Sequence, residues 1–288
     1  LRSQRAGRAR HAQGKEFSMD TASLFSLRGR TALVTGGSRG IGLMIARGFL
    51  AQGARVYIAS RKAAVCDAVA AELGPDCLSL PMDLSTVDGC RALAAAFGER
   101  EEQLHILVNN AGAAWAAPFD SFPEKGWDKV MDLNVKAAFF LTQAFHPCLE
   151  RAAAAERPCK VINVASVDGL RLNPWETYSY QASKAALINL TRRMAARLVD
   201  DHINVTAIAP GAFPSAMNRA ARDHGDAVAD VIPNRRVGRD EDMAAVAIYL
   251  AARSGDYVVG ETIAVDGGVV NAAPPAGLEP AREPGGQP

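Results

Sequence analysis

The chain has 288 residues, 49% of them hydrophobic and 22% charged, with 32 Lys and Arg against 31 Asp and Glu. This globular-average composition excludes a disordered, collagen-like or disulfide-stapled chain and leaves ample length for a core. No apolar run approaches the roughly 18 residues of a membrane-spanning helix, and no basic stripe marks the body as a nucleic-acid binder.

Residues 1–18 hold five basic residues and one acid without apolar periodicity, and read as a disordered basic arm ahead of Met19 rather than as an amphipathic presequence. Beyond it, short β-branched runs alternate with helical stretches. The strands are expected at Thr31–Thr35, Ala54–Ala59, Leu78–Met82, Ile106–Asn109, Val161–Ala165, Val205–Ala209 and Thr262–Val265. The helices are expected at Gly40–Gln52, Ala63–Leu73, Thr86–Arg100, Lys125–Arg151, Tyr178–Asp200 and Glu241–Ala252. Strand and helix taking turns predict an α/β fold, a single doubly wound Rossmann-like domain over residues 19–271 with a seven-stranded parallel sheet. Two stretches interrupt the alternation. Arg151–Pro158 is an alanine-rich extension, and Pro210–Pro233 is a long connection after a strand's carboxyl end, read as a substrate lid. Residues 272–288, rich in Pro and Gly, read as a flexible tail.

Cys66, Cys77, Cys90, Cys148 and Cys159 form no C-x-x-C pair, and the histidines show no ligand spacing. They predict buried thiols in a reducing, cytoplasmic compartment and no bound metal.

The first strand runs into Thr35-Gly36-Gly37-Ser38-Arg39-Gly40-Ile41-Gly42 just as a helix begins. In that context Gly36 permits the tight turn, Gly40 lets backbone N–H groups approach a pyrophosphate at the helix N-terminus, and Gly42 allows close helix–sheet packing. Ser38, Arg39 and Ile41 belong to the same cradle. The second strand ends in Ser60-Arg61-Lys62, where an NAD enzyme would carry a carboxylate for the ribose 2′-hydroxyl. A hydroxyl and two cations there, with Arg39 as a third, suit a 2′-phosphate and predict NADP(H). Asp83 and Leu84 after the third strand stand where adenine would lie, and Asn110-Ala111-Gly112 after the fourth where a ribose could meet the backbone.

Tyr180 and Lys184 stand four apart at a helix start and so share a face. An ammonium about 5 Å from the phenol, at an effective dielectric near 20, would favour the phenolate by roughly 3 kcal/mol, about 2 pKa units. The lysine is therefore expected to make the tyrosine a usable acid, and its head could also hold a ribose. Tyr178 has Ala182 in place of such a partner. Ser166, at the end of the fifth strand, could hydrogen-bond a carbonyl oxygen while Tyr180 protonates it, and Asn134 in an apolar helix could bind a water that feeds Lys184.

These motifs, T-G-G-S-R-G-I-G, N-N-A-G, Asn134, Ser166, Y-x-x-x-K and Pro210-Gly211, resemble the short-chain dehydrogenase/reductase family from Leu27 to about Val270. The resemblance implies Tyr180 as acid/base, Ser166 as carbonyl orienter, Lys184 on the ribose and Asn134 as relay, with Pro210, Gly211 and Phe213 near the nicotinamide. Within the family the chain is most similar to the NADPH-dependent 3-oxoacyl-[acyl-carrier-protein] reductases of the rhamnolipid-synthesis type. That implies reduction of a 3-oxoacyl thioester on acyl carrier protein or coenzyme A. Another ketone or secondary alcohol is the alternative, and a non-catalytic NADP-binding protein a more distant one. Trp115, Trp175, Phe213 and Met217 are candidates for an acyl path. The family also implies a homotetramer built through Lys125–Arg151, Tyr178–Asp200 and the last strand.

Overall fold

Aliphatic and β-branched runs form seven strands, and the computed structural model describes them within residues 20–272. The arm expected at 1–18, and all of the expected tail except Ala272, lie outside the described residues. The strands are β1 (Thr31–Thr35), β2 (Arg55–Ala59), β3 (Cys77–Ser79), β4 (Ile106–Asn109), β5 (Cys159–Val164), β6 (Ile203–Pro210) and β7 (Thr262–Val265). All pair in parallel, in the order β3-β2-β1-β4-β5-β6-β7. The helices are α1 (Thr21–Leu24), α2 (Gly40–Ala51), α3 (Ala63–Leu73), α4 (Val87–Gly98), α5 (Glu124–Met131), α6 (Ala137–Ala152), α7 (Tyr178–Leu198), α8 (Arg219–Asp223), α9 (Gly225–Ala229) and α10 (Asp240–Ala251).

Two hydrophobic layers cover the sheet. Ile45 and Phe49 of α2, Cys66 of α3 and Met243, Ala247 and Leu250 of α10 pack with Val34 and Val108 on one face. Leu93 and Phe97 of α4, Leu141 and Phe145 of α6 and Met194 and Leu198 of α7 pack with Leu33 and Leu107 on the other. There Tyr57, Phe97 and Phe145 meet edge to face, with centroids 5.1 and 5.3 Å apart. Strand order reverses between β1 and β4, so the crevice outside their carboxyl ends is the place where such a sheet binds ligands.

Three differences from the sequence reading have physical causes. β3 begins one residue early and stops at Ser79, before Pro81, which has no N–H to give. β5 and β6 each begin two residues early, at positions that include the buried polar residues Lys160 and Asn204. Asp256 makes that burial tolerable: its carboxylate lies 2.8 Å from Lys160 Nζ, and its backbone carbonyl accepts from Asn204 Nδ2 at 2.8 Å. The long helix expected over Lys125–Arg151 is α5 and α6 joined by a π turn, Asp132–Lys136. The Pro210–Pro233 connection contains α8 and α9. Its flanks are fastened by Gly238 N donating to Ala212 O at 2.9 Å and Asn234 N to Gly267 O at 3.0 Å. After α6, the extension closes as a tight turn pairing Ala154 with Arg157.

Candidate active site

Thr35 ties the two strand ends that flank the crevice. Its hydroxyl donates to Val108 O and accepts from the N–H groups of Asn110 and Ala111 at 2.9 and 3.0 Å, while Asn110 Nδ2 donates to Thr35 O at 2.7 Å. Gly36 and Gly40 have φ of +65° and +54°, a region that glycine enters without a Cβ penalty. A Cβ on Gly36 would also lie 2.7 Å from Asn110 Nδ2, and one on Gly42 would run into the same amide and Gly36 O. Ser38 is buried in the turn and Ile41 packs against the core. The turn is thus a cradle of bare backbone at the N-terminus of α2, suited to a pyrophosphate.

The end of β2 suits a further phosphate. Arg39, Arg61 and Lys62 are exposed, and among the described residues none has an acidic partner. Ser60 Oγ is buried with no hydrogen-bond partner. A buried hydroxyl without a partner, followed by two exposed cations and with Arg39 of the glycine turn as a third, suits an anionic group. Asp83 is exposed and its carboxylate caps Ser85 N at 3.0 Å, whereas the Leu84 side chain is in the core beside α4. Gly112 lies against Asn134: a Cβ there would be 3.1 Å from Asn134 Oδ1.

The π turn delivers Asn134 to the site. Fully buried, its Oδ1 accepts from Ala113 N at 2.8 Å, and its Nδ2 donates to Ala113 O and to Ser183 Oγ, each at 2.9 Å. Ser183 Oγ in turn donates to Tyr180 O at 2.7 Å. Asn134 therefore braces the β4 loop against the first turns of α7. A cavity of about 10 Å³, room for one water, borders Asn134, Lys184, Thr35 and Asn109, and Asn109 Oδ1 is a buried acceptor without a partner.

Ser166 caps the 3-10 turn Val167–Gly169 that follows β5, accepting from Asp168 N at 3.1 Å. The Ser166 hydroxyl is near enough to the Tyr180 phenol to favour its ionised form. Lys184 is buried, donates to Val164 O at 2.7 Å, and lies 5.6 Å from the Tyr180 ring centre. Here the electrostatic expectation is corrected. Burial, reinforced by the Asp168 charge and opposed by the Ser166 hydroxyl, pushes the Tyr180 phenol up to about 12 rather than down. Burial brings Lys184 down to about 8, with Asp168 opposing. Desolvation dominates both shifts. The phenol therefore stays protonated at neutral pH, the form that a proton donor to a carbonyl needs.

The four residues expected to line an acyl path are not brought together. Phe213 is buried, and a Cβ on Gly238 would run into its ring; it borders a cavity of about 80 Å³ under the lid with Ile232 and Arg236. Trp115 packs on Gly126 beneath Lys129, while Trp175 and Met217 are exposed. Pro210 and Gly211 end β6 beside Val265, and Gly211 is pressed so closely on Asp266 that a Cβ would lie 2.8 Å from its Cα. The sequence reading missed Thr35 and Ser183, whose signal was their place inside T-G-x-x-x-G-x-G and Y-x-x-S-K.

Among the described residues there is no group of three or more His, Cys, Asp or Glu that could hold a metal, and no helix long and apolar enough to cross a membrane.

Comparisons with known proteins follow the same lines. A family model described as enoyl-(acyl carrier protein) reductase matches residues 36–270. The rhamnolipids biosynthesis 3-oxoacyl-[acyl-carrier-protein] reductase of Pseudomonas aeruginosa is 51% identical over 249 residues, covering 85% of this chain and 97% of that protein. The Pseudomonas aeruginosa RhlG/NADP active-site complex superposes with a TM-score of 0.84 at 49% identity, over 86% of this chain and 99% of that one. A galactitol 2-dehydrogenase (L-tagatose-forming) of Cereibacter sphaeroides is 36% identical over 255 residues, 87% of this chain and 98% of its own length.

Proposed function

The chain belongs to the short-chain dehydrogenase/reductase family, and from that premise we propose that it reduces a 3-oxoacyl thioester to the 3-hydroxyacyl thioester with NADPH. The observation that carries the reading is the meeting of Ser166, a protonated Tyr180 and Lys184 beside the glycine cradle. Its likeness to a 3-oxoacyl-[acyl-carrier-protein] reductase supplies the substrate class.

NADPH, when bound, supplies the hydride to the ketone carbon. The turn from Gly36 to Gly42 would hold its pyrophosphate, and Arg39, Ser60, Arg61 and Lys62 its 2′-phosphate. Asp83 and Leu84 would meet the adenine, Asn110, Ala111 and Gly112 a ribose, and Pro210, Gly211 and Phe213 the nicotinamide side. Ser166 and Tyr180 donate hydrogen bonds to the substrate oxygen as negative charge grows on it, and Tyr180 delivers the proton. Lys184, which donates to Val164 O, would hold the ribose and return a proton to the spent phenolate. A water in the cavity beside Asn134 would return the proton to Lys184.

The carrier is acyl carrier protein or coenzyme A, and the working assembly is a homotetramer through α5–α7 and β7. Five free, buried cysteines support a cytoplasmic setting. The test is a set of 3-oxoacyl thioesters of increasing chain length beside galactitol and small ketones. We expect kcat/KM to rise with acyl length; saturation only by the polyol or the small ketones would transfer the function to that class.

A further inference from the structure

The 3-10 turn between Ser166 and α7 carries a charge that the proposed mechanism leaves unused. Asp168 is partly buried there, and among the described residues no hydrogen bond or ion pair engages its carboxylate. Its backbone N–H fixes the Ser166 hydroxyl. The next residue, Gly169, presses the turn against α7 at the peptide of Lys184 itself: a Cβ would lie 2.6 Å from Lys184 C and 2.8 Å from Ala185 N. No side chain larger than hydrogen fits between the turn and that peptide, so the turn that carries Asp168 is seated directly on the stretch of α7 that carries Lys184.

We propose that Asp168 is the electrostatic partner of the Tyr180–Lys184 pair, a positioning residue that sets the direction in which the site works best. This rests on the reading of the site as a carbonyl reductase. A fixed negative charge favours the protonated forms of both the phenol and the ammonium, and Asp168 raises the pKa of each. Reduction begins from those forms, whereas oxidation of an alcohol begins from the phenolate. The other charges on elements packed against α7 have their own surroundings. Glu124, Lys125, Asp128 and Lys129 of α5 are exposed, and Asp132 and Lys136 of the π turn pair with each other at 3.1 Å. β6 has no charged side chain over Ile203–Pro210, and at the far end of α7 Asp201 is bound to His146 and Arg197 while Asp200 is exposed.

The test compares pH profiles of kcat/KM for wild type, Asp168→Asn and Asp168→Glu, in reduction with NADPH and in oxidation of the matching alcohol with NADP+. Asp168→Asn is expected to move the basic limb of reduction and the acidic limb of oxidation both to lower pH, by about one unit, and Asp168→Glu to restore them. A role confined to the shape of the turn would lower the rates and leave both limbs in place, and that result overturns the proposal. Should Asp168→Asn lose NADPH binding, Asp168→Ser, which keeps a polar side chain in the turn, is read by the same limbs. If the wild type accepts only a polyol or a small ketone, the thioester reading falls while Asp168 is still judged by the limbs on that substrate. A chain that turns over no carbonyl or alcohol sinks both.

Discussion

The two ends of the sheet differ in how far their polar and charged groups are partnered within the chain. At the amino end, Arg30 donates to Pro158 O at 2.6 Å, Lys160 lies 2.8 Å from Asp256, and His105 Nδ1 accepts from Thr31 N at 3.0 Å. The Lys160 contact falls short of hydrogen-bond alignment but is close enough for an ion pair. Each group there has a partner within the chain. At the carboxyl end Ser60 Oγ and Asn109 Oδ1 have none, and Arg39, Arg61, Lys62 and Asp168 are unpaired among the described residues. Both ends carry titratable groups shifted by burial. Perturbed pKa values alone therefore do not locate the chemistry, whereas unmet bonding capacity next to the strand reversal does.

The comparison breaks if damage at one end has the other end's phenotype. The largest effect belongs to Tyr180→Phe, which removes the proton donor and keeps the ring. Turnover should fall about 10³-fold with the thermal midpoint little changed. Next comes the phosphate end. Replacing Arg39 and Arg61 by Ala should raise KM for NADPH roughly 10- to 100-fold through lost charge-assisted bonds, and leave KM for NADH nearly constant in the same assay.

The amino end should instead register in stability. Asp256→Asn leaves Lys160 buried beside a neutral amide, and denaturant titration should show a loss of about 2–3 kcal/mol with kcat close to wild type per folded molecule. His105 sharpens the contrast through pH. Burial, aided by Arg30 and Arg157, lowers it to about 4 from an ordinary 6.5. Between those values the unfolded chain binds the extra proton, so stability is whole above pH 6.5 and drains as pH falls toward 4. The loss is on the order of 2–3 kcal/mol. His105→Gln, whose side-chain oxygen can still accept from Thr31 N, should flatten that slope in chemical-denaturation curves taken across the range.

The sequence made the fold legible wherever no charged or amide side chain stands among the first residues of a strand. β1, β4 and β7 fall on their expected residues, while β5 and β6 were cut short at Lys160 and Asn204, because Asp256 lies far along the chain from both. The glycine cradle and the Ser166, Tyr180 and Lys184 set were legible because fixed spacing near strand and helix ends carries them. The π turn was not, since the apolar pattern runs through it. The direction of the Tyr180 shift was not legible either, because depth of burial is a tertiary quantity that spacing cannot report. Phe213 was ambiguous for a related reason: an aromatic residue after a strand reads as lid or core alike until Gly238 is seen beneath it.

The most direct measurement is the initial rate of NADPH oxidation with a medium-chain 3-oxoacyl thioester, run beside NADH and beside Tyr180→Phe. The arrangement of Ser166, Tyr180 and Lys184 under an arginine-flanked cradle predicts NADPH turnover at least about tenfold faster than with NADH, and its near-complete loss in the variant. Equal use of NADH, or a Tyr180→Phe enzyme as active as wild type, would contradict it.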